Sequence, residues 1–386
     1  MKRFLFLLAG LFVFSSLIGQ SNKVVTAWNL IKPEYNELDK AMQAIDEASV
    51  HSRTAGDAKT WYYRGLVYYK IYQSKDEKFK NLHPDPLKVA YESFIKAKEL
   101  DTKDRWKDEL RFRITQTSAD YFNRGSLEYE NKKYEESLNS FETVIAIGKL
   151  PYINVVDTGS FFNAAIAADQ AKIYDKALDY YYKSAELNYG GPEVFYYIGE
   201  IYKIQGDTTA ALDAYKVGIE KYPENNVNLY LEIINYYLPK NQITEVFSFI
   251  EKALEKDPNN HLLWNVYGQA LEQKEDMEKA AEAYTKAVEI DSTFFVGWYN
   301  IGRLNYNLGV NAQEAANQIP LNDEAGFKAA VGVADNHFKA GLPYFEKAFE
   351  INPNDPDLLT ALRQIYYRFK MNDKLDAIQH KIDEIK

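Results

Sequence analysis

The stretch that decides the fold is HLLWNVYGQALEQKEDMEKAAEAYTKAVEIDSTF, residues 261–294. Its first half carries apolar residues at intervals of three and four, which is the period of one face of an α-helix. The polar residues 274–276 interrupt this period, and a second amphipathic segment follows them. The sequence therefore predicts two helices, roughly residues 262–273 and 277–289, joined by a short turn.

Two small residues, Gly268 and Ala280, lie on the apolar faces of these two predicted helices. Helix axes approach to about 8 Å only where the side chains between them are small. We therefore expect Gly268 and Ala280 to face each other at the point where the two helices cross most closely.

The marked positions of this stretch are Trp264, Tyr267, Gly268, Leu271, Ala280, Tyr284 and Ala287. Their spacing closely resembles the tetratricopeptide repeat (TPR), a 34-residue helix–turn–helix unit. Tyr267 replaces the usual Leu, Leu271 the usual Tyr and Ser292 the usual Pro. The resemblance is to exported envelope TPR proteins of Gram-negative bacteria. It implies an all-α fold in which the repeats stack into a right-handed superhelix, an α-solenoid.

The same pattern recurs along the chain and predicts about nine helix pairs in one continuous array over residues 20–386. The expected repeats are approximately residues 22–57, 58–104, 118–157, 158–191, 192–226, 227–260, 261–294, 295–355 and 356–386. Two repeats are longer than the standard unit, by about 13 residues between Tyr68 and Ala90 and by about 27 in the 295–355 repeat. We expect the second insertion, residues 308–336, to extend both helices into a hairpin that turns at Pro320.

The N-terminal residues MKRFLFLLAGLFVFSSLIGQSNK begin with a basic head, continue with an apolar run over residues 4–18, and end with small or polar residues. This layout is typical of a secretory signal peptide, which we assign to residues 1–19, and an uncleaved anchor is the alternative. The chain has no Cys. An exported chain without disulfides fits the periplasm or cell envelope of a bacterium.

Charge and composition exclude several classes of function. The formal net charge is −10, so nucleic acid and anionic membrane surfaces repel the chain. After signal cleavage we expect no membrane span. The five His residues are scattered and form no ligand pair, and no glycine-rich phosphate loop is present. The sequence therefore predicts a non-enzymatic protein with no cofactor and no metal.

One acidic run, residues 352–357, looks like a calcium-binding loop by eye. It lacks the Gly and the terminal Glu that such a loop needs. We interpret it as a turn between repeats followed by a helix N-cap.

In the TPR family, ligands lie along the concave face formed by the first helix of each repeat. The family register places these residues of the chain on that face: Tyr62, Tyr69, Phe122, Tyr129, Phe162, Tyr196, Glu200, Asn228, Asn235, Asn265, Gln269, Tyr299, Arg303, Asn307, Thr360, Gln364 and Arg368. Amide side chains can pair with an extended peptide backbone, and Tyr supplies contact area. The alternative, that many of these Tyr residues fill space between neighbouring repeats, stays open.

We therefore expect an exported scaffold that binds a protein or peptide on its concave face. The other open class is an envelope assembly or carbohydrate-handling accessory that binds glycans through exposed aromatics. Within the first class, Arg303 and Arg368 are expected to clamp a partner carboxylate with paired hydrogen bonds, beside the hairpin. The aromatic inner positions of the first repeats are the next candidate.

The signal peptide gives a direct prediction. N-terminal sequencing of protein recovered from the cell envelope should begin close to Gln20, because the apolar run ends before Gly19. An intact Met1 on a protein recovered from the cytoplasm would refute export.

Overall fold

A computed structural model describes residues 22–224, 226–320 and 322–385. The predicted signal peptide, residues 1–19, lies outside the described residues. Within these ranges all regular structure is helical and no strand is present, which confirms the all-α prediction. The chain divides into two compact units, an N-terminal unit Met1–Gly190 and a C-terminal unit Gly191–Lys386. The single continuous array over residues 20–386 stays a prediction.

The N-terminal unit contains four helix pairs. Its helices are α1 (22–30), α2 (Leu38–Val50), α3 (Ala58–Gln73), α4 (Glu77–Lys80), α5 (Pro86–Leu100), α6 (Lys107–Glu130), α7 (Tyr134–Gly148), α8 (Thr158–Gln170) and α9 (Tyr174–Glu186). The short helix α4 lies within the first insertion, so α3 pairs with α5. Successive pairs pack on one another through α5 and α6 and through α7 and α8, as in a solenoid.

The described residues of the C-terminal unit contain five helix pairs. Its helices are α10 (Glu193–Ile204), α11 (Thr208–Lys221), α12 (Val227–Tyr237), α13 (Ile243–Lys256), α14 (His261–Gln273), α15 (Met277–Ile290), α16 (Phe295–Asn317), α17 (Glu324–Ile351), α18 (Pro356–Arg368) and α19 (Asn372–Ile385). A single 3₁₀ turn, Leu238–Lys240, follows α12. Each second helix packs against the first helix of the next pair, so this unit is also a solenoid.

Side-chain caps fix where many of these helices begin. The Asn260 side-chain oxygen accepts from the backbone amides of Leu262 and Leu263, at 3.0 and 3.3 Å. The same kind of cap is made by Asp57, Asp85, Asp157, Asp207, Asp276, Asp323 and Asp355. The cap at Asp355 shows that the acidic run 352–357 is the turn and N-cap that the sequence predicts.

In several of the described helix pairs an aromatic ring of the second helix occupies the space left by a glycine of the first. A Cβ added to Gly268 would lie 2.5 Å from Cε1 of Tyr284, closer than non-bonded carbons approach. The ring of Tyr284 is fully buried. We call this contact the glycine–ring pair; Gly125 with Phe141 and Gly199 with Tyr215 form the same pair. In all three pairs the ring follows the glycine by 16 residues.

The two insertions leave the glycine–ring pair intact. A Cβ on Gly65 would lie 2.3 Å from the Phe94 ring, and one on Gly302 would lie 2.5 Å from the Phe345 ring. The first insertion folds into α4 and its flanking loops, while the second lengthens α16, which ends at Asn317, and α17, which begins at Glu324. The extra residues therefore lie away from the glycine–ring pair that joins the two helices.

The sequence predicts that Gly268 faces Ala280, but the residue that lies over Gly268 is Tyr284. The neighbour of the small residue on the second helix is shown by two positions equivalent to Ala280, namely Ser137 and Gly341. Ser137 Oγ donates to the Gly125 carbonyl at 2.8 Å, and a Cβ on Gly341 would lie 3.0 Å from the Gly302 carbonyl oxygen. The small residue thus lies against the backbone carbonyl, while the ring covers the glycine Cα.

Three tryptophans tie the first helix to the chain before it. The indole Nε1 of Trp264 donates to the Pro258 carbonyl at 2.8 Å, and that of Trp298 donates to the Ser292 carbonyl at 2.9 Å. Trp61 makes the same bond to Ala55 at 2.7 Å. Because the acceptor is a backbone carbonyl, which every residue has, Ser292 accepts this hydrogen bond as well as the usual Pro would.

The glycine–ring pair can be tested by a double-mutant cycle. Gly268→Val should lower the free energy of unfolding by about 1–3 kcal/mol, because its methyl groups overlap the Tyr284 ring. In a Tyr284→Ala background the same change should cost at least about 1 kcal/mol less, because the ring is gone. Urea denaturation measures all four proteins. Additive losses would mean that Gly268 and Tyr284 are not in contact.

Candidate protein-binding site

Two of the predicted inner tyrosines are buried inside the N-terminal unit. Tyr62 is 7% exposed, and its ring centroid lies 4.6 Å from that of Trp106. Tyr69 is 3% exposed, and its hydroxyl donates to Asp120 Oδ2 at 2.6 Å. Burial is the first cause that raises the pKa of the Tyr69 hydroxyl, followed by this hydrogen bond. These two side chains fit the alternative that inner tyrosines fill space between helices.

The other inner aromatics of this unit remain accessible. Phe122, Tyr129 and Phe162 are half-buried. Phe122 packs edge-on against Phe141, with ring centroids 5.5 Å apart, and its outer part borders an open groove. Phe122 is therefore a predicted site residue that reaches a surface on which a partner can lie.

We call this surface the α6–α8 groove, an open cavity of about 420 Å³. Its lining residues come from α6, from the last turn of α7, from the loop 149–157 and from the start of α8: Thr115, Ser118, Ala119, Phe122, Asn123, Val144, Ile147, Gly148, Ile153, Val155, Asp157 and Gly159. The walls are mainly apolar, and Val155 is 57% exposed at the rim, next to Val156 at 63%. Apolar surface left open in this way is characteristic of a binding site.

The loop 149–157 shapes one wall of the groove. The backbone amide of Val155 donates to the Gly148 carbonyl at 3.0 Å, which folds the loop back over the end of α7. A Cβ on Gly148 would lie 2.3 Å from the Val155 carbonyl oxygen, so only glycine allows this approach. The sequence analysis missed the loop. Its signal is the spacing from Phe141 to Ala165, six residues longer than that from Tyr284 to Gly302.

In the C-terminal unit two predicted site residues, Asn265 of α14 and Arg303 of α16, each bond to a residue of the other helix that was not predicted. Asn300 donates from Nδ2 to Asn265 Oδ1 at 2.9 Å, and Asn265 is only 6% exposed. Arg303 donates from Nη2 to Glu272 Oε1 at 2.6 Å. Tyr284, whose ring closes this helix pair, also donates to Glu272. Burial, and then this hydrogen bond, raise the pKa of Tyr284, so its hydroxyl stays protonated and donates.

A second polar cluster joins α10 to α12. Lys203 donates to Glu200 at 2.6 Å and to Glu232 at 2.8 Å, and Tyr215 donates to Glu200 at 2.7 Å.

The remaining predicted site residues of this unit differ in exposure. Tyr196 is half-buried, while Asn228 and Asn235 are exposed. Farther along the unit, Gln269 and Tyr299 are half-buried, Asn307 is exposed, Thr360 is exposed, and Gln364 accepts from the Tyr306 hydroxyl.

Arg303 and Arg368, which the sequence predicts to clamp a partner carboxylate, each bond to a carboxylate of the chain itself. Arg303 already binds Glu272, and Arg368 donates from Nε to Asp335 Oδ1 and from Nη2 to Gln313 Oε1, both at 2.6 Å. Arg368 therefore fastens α18 to both helices of the inserted hairpin. The partners of both arginines are more than 30 residues distant in sequence, so helical periodicity alone gave no sign of them.

Among the residues that the structure describes, no three His, Asp or Glu side chains form a group that could hold a metal ion.

No helix in the described ranges is both long enough and apolar enough to span a membrane.

The fold and the open inner surfaces define an α-solenoid scaffold for protein–protein interaction. Residues 249–293 match the model of the tetratricopeptide repeat family. This match confirms the tetratricopeptide repeat that the sequence predicts there, and the glycine and aromatic positions of the repeat recur in several of the other helix pairs.

Similarity to individual proteins is low. The chain is 25% identical over 136 residues to the peroxisomal targeting signal receptor of Candida glabrata, which covers 34% of this chain and 22% of that protein. It is 23% identical over 138 residues to anaphase-promoting complex subunit 3 of Schizosaccharomyces pombe, covering 36% and 17%. The chain therefore spans less than a quarter of the length of these two relatives.

Among solved structures, the chain is similar to the C-terminal part of a TPR repeat-containing protein from Cytophaga hutchinsonii. The TM-score is 0.47 and the sequence identity is 17%, over 69% of this chain and 95% of that chain.

The contacts of Arg368 predict a change in local dynamics. Arg368→Ala should speed amide hydrogen exchange at the facing parts of α16 and α17 by about tenfold, because the loss of charged hydrogen bonds favours local opening. The matched control is Arg363→Ala on the same helix, which removes a guanidinium outside this contact. Equal protection in both variants, measured by mass spectrometry, would contradict the conclusion that Arg368 holds α18 against α16 and α17.

Proposed function

We propose that this protein is a non-enzymatic scaffold of the bacterial cell envelope. It binds a partner protein through an extended segment that places an apolar side chain in the α6–α8 groove. The observation that carries the proposal is the groove itself, an apolar cavity of about 420 Å³ that opens to solvent at the inner positions of α6.

The chemistry of the groove selects an aliphatic or aromatic side chain. Ala119, Phe122 and Ile153 offer only carbon atoms to a ligand, and burying such a surface is favourable by about 25 cal/mol per Å². Asn123 and Asp157 supply polar groups at the border, where a peptide backbone would lie. This combination of an apolar pocket and polar edges suits recognition of a protein segment.

The exposed amides of the C-terminal unit support a second set of contacts. Asn228, Asn235 and Asn307 lie on first helices, and no hydrogen bond of their side chains is seen within the described residues. Side-chain amides can donate to and accept from the backbone of an extended peptide. Asn265, Arg303 and Arg368 serve instead to hold the helices together.

Two further observations support the proposed class of protein and its proposed location in the cell envelope. The name of the Candida glabrata relative describes a receptor for a targeting signal, and that similarity favours recognition of a protein segment over an enzymatic role. The signal-like N-terminus favours export, and an exported chain without Cys fits a bacterial envelope.

The proposal is tested by affinity purification of the tagged protein from cross-linked envelope fractions. Ala119→Glu and Val155→Glu each put a carboxylate into the groove, and each should reduce the co-purified partner by about tenfold. Both residues are exposed, so circular dichroism should not change.

The matched control is Val217→Glu on α11, because Val217 is an exposed valine, at 48%, far from the groove in sequence. This variant should retain the partner. Equal retention by all three variants would refute the groove as the binding site. Binding of the purified protein to a glycan array, lost in the groove variants, would favour the carbohydrate-handling alternative.

A further inference from the structure

One exposed helix face in the inserted hairpin carries no charge. The residues are spaced by three or four along α17, so they form one stripe, and all are exposed: Ala325, Ala329, Val333, Asn336, Ala340 and Pro343. Val333 is 50% exposed. The chain as a whole is 26% charged, so a run of five helical turns without a charged residue on its solvent face is unusual.

Other second helices show what such a face normally contains. The exposed residues of α15 are Glu278, Lys279, Glu282, Lys286 and Glu289, all of them charged. Beyond the hairpin, α17 itself returns to this pattern, because Lys347 and Glu350 are exposed and paired at 2.7 Å. The uncharged face therefore covers the part of α17 that the insertion adds and extends about two turns beyond it, to Ala340 and Pro343.

Gly332 lies beside Val333 on this face. A Cβ placed on Gly332 would meet no atom within 4 Å. Glycine inside a helix is less favourable than alanine, so its presence needs a reason, and no neighbour in the described residues supplies one. A small residue at this place allows a helix from outside to approach closely.

Four charged residues run along one edge of the stripe, and their order is self-complementary. Glu324, Lys328, Asp335 and Lys339 lie within about 60° of one another around the helix, given 3.6 residues per turn. If a second copy of α17 is laid antiparallel with its centre beside Gly332, between Val331 and Gly332, Glu324 faces Lys339 and Lys328 faces Asp335. Every opposed pair is then attractive.

We propose that this face is a homodimer interface, in which α17 packs antiparallel against α17 of a second copy about a two-fold axis beside Gly332. A two-fold interface needs a surface that is complementary to itself, which the reversed charge order supplies. Glu324 and Lys328 have no ion pair among the described residues. Asp335 bonds Arg368 through Oδ1 and keeps a third of its side chain exposed, and Lys339 lies 5.2 Å from the centre of the Phe369 ring.

A charge exchange tests the proposal by sedimentation velocity of the purified protein. Glu324→Lys and Lys339→Glu should each raise the dimer dissociation constant by about tenfold. Each change places two like charges opposite each other, and the two-fold axis repeats that repulsive contact. The double variant Glu324→Lys with Lys339→Glu should return to within about threefold of the parent. The two residues are about 22 Å apart along one helix, so such a rescue can arise only between copies.

The matched control is Glu314→Lys, the same charge change on exposed α16, which should leave the dissociation constant unchanged. Circular dichroism of each variant should match the parent. A parent protein that stays monomeric at about 100 μM, or a dimer that responds to Glu314→Lys as strongly as to Glu324→Lys, would overturn the proposal. So would a double variant that is weaker than either single variant.

Discussion

The structure depends on one contact that five of its described helix pairs share, an aromatic ring of the second helix against a glycine of the first. The contact is short enough to exclude a Cβ at Gly65, Gly199, Gly268 and Gly302, so it fixes how closely each helix pair approaches. It also explains the tolerance for insertions. Residues can be added after the glycine without moving the ring out of place, because a solenoid is held together by contacts between neighbours. The hairpin is an addition of this kind, while the loop 149–157 of the groove is added between two helix pairs, and neither disturbs a glycine–ring pair.

Most of the fold could be predicted from the sequence, because it depends on local spacing. The period of apolar residues gave the helices of the 261–294 repeat to within one residue at each end. The partner of Gly268 was less accessible, because helical spacing shows which face a residue occupies and not which of two residues on the opposite helix reaches it. Tyr284 was assigned to the core, and its contact with the glycine became visible only in three dimensions.

The site was harder to predict for the same reason. Family register placed Tyr62, Asn265 and Arg303 on first helices, but whether such residues bind a ligand depends on neighbours distant in sequence. Glu272 takes the charge of Arg303, and Trp106 covers Tyr62. Family register reached only Phe122 of the α6–α8 groove, because the loop 149–157 that forms one wall has no counterpart in the regular repeat. Open apolar surface, more than the residue type at an inner position, therefore marks where a partner can bind.

Native-state hydrogen exchange of the full chain, read by mass spectrometry, tests the glycine–ring pair most directly. If the ring contact holds each helix pair, the amides around Gly302 and Phe345, which have the 27-residue insertion between them, are protected as strongly as those around Gly268 and Tyr284, with protection factors within about tenfold. The account is contradicted if protection around Gly302 and Phe345 is lower by about a hundredfold or more, because the insertion would then have broken the contact that the repeat depends on.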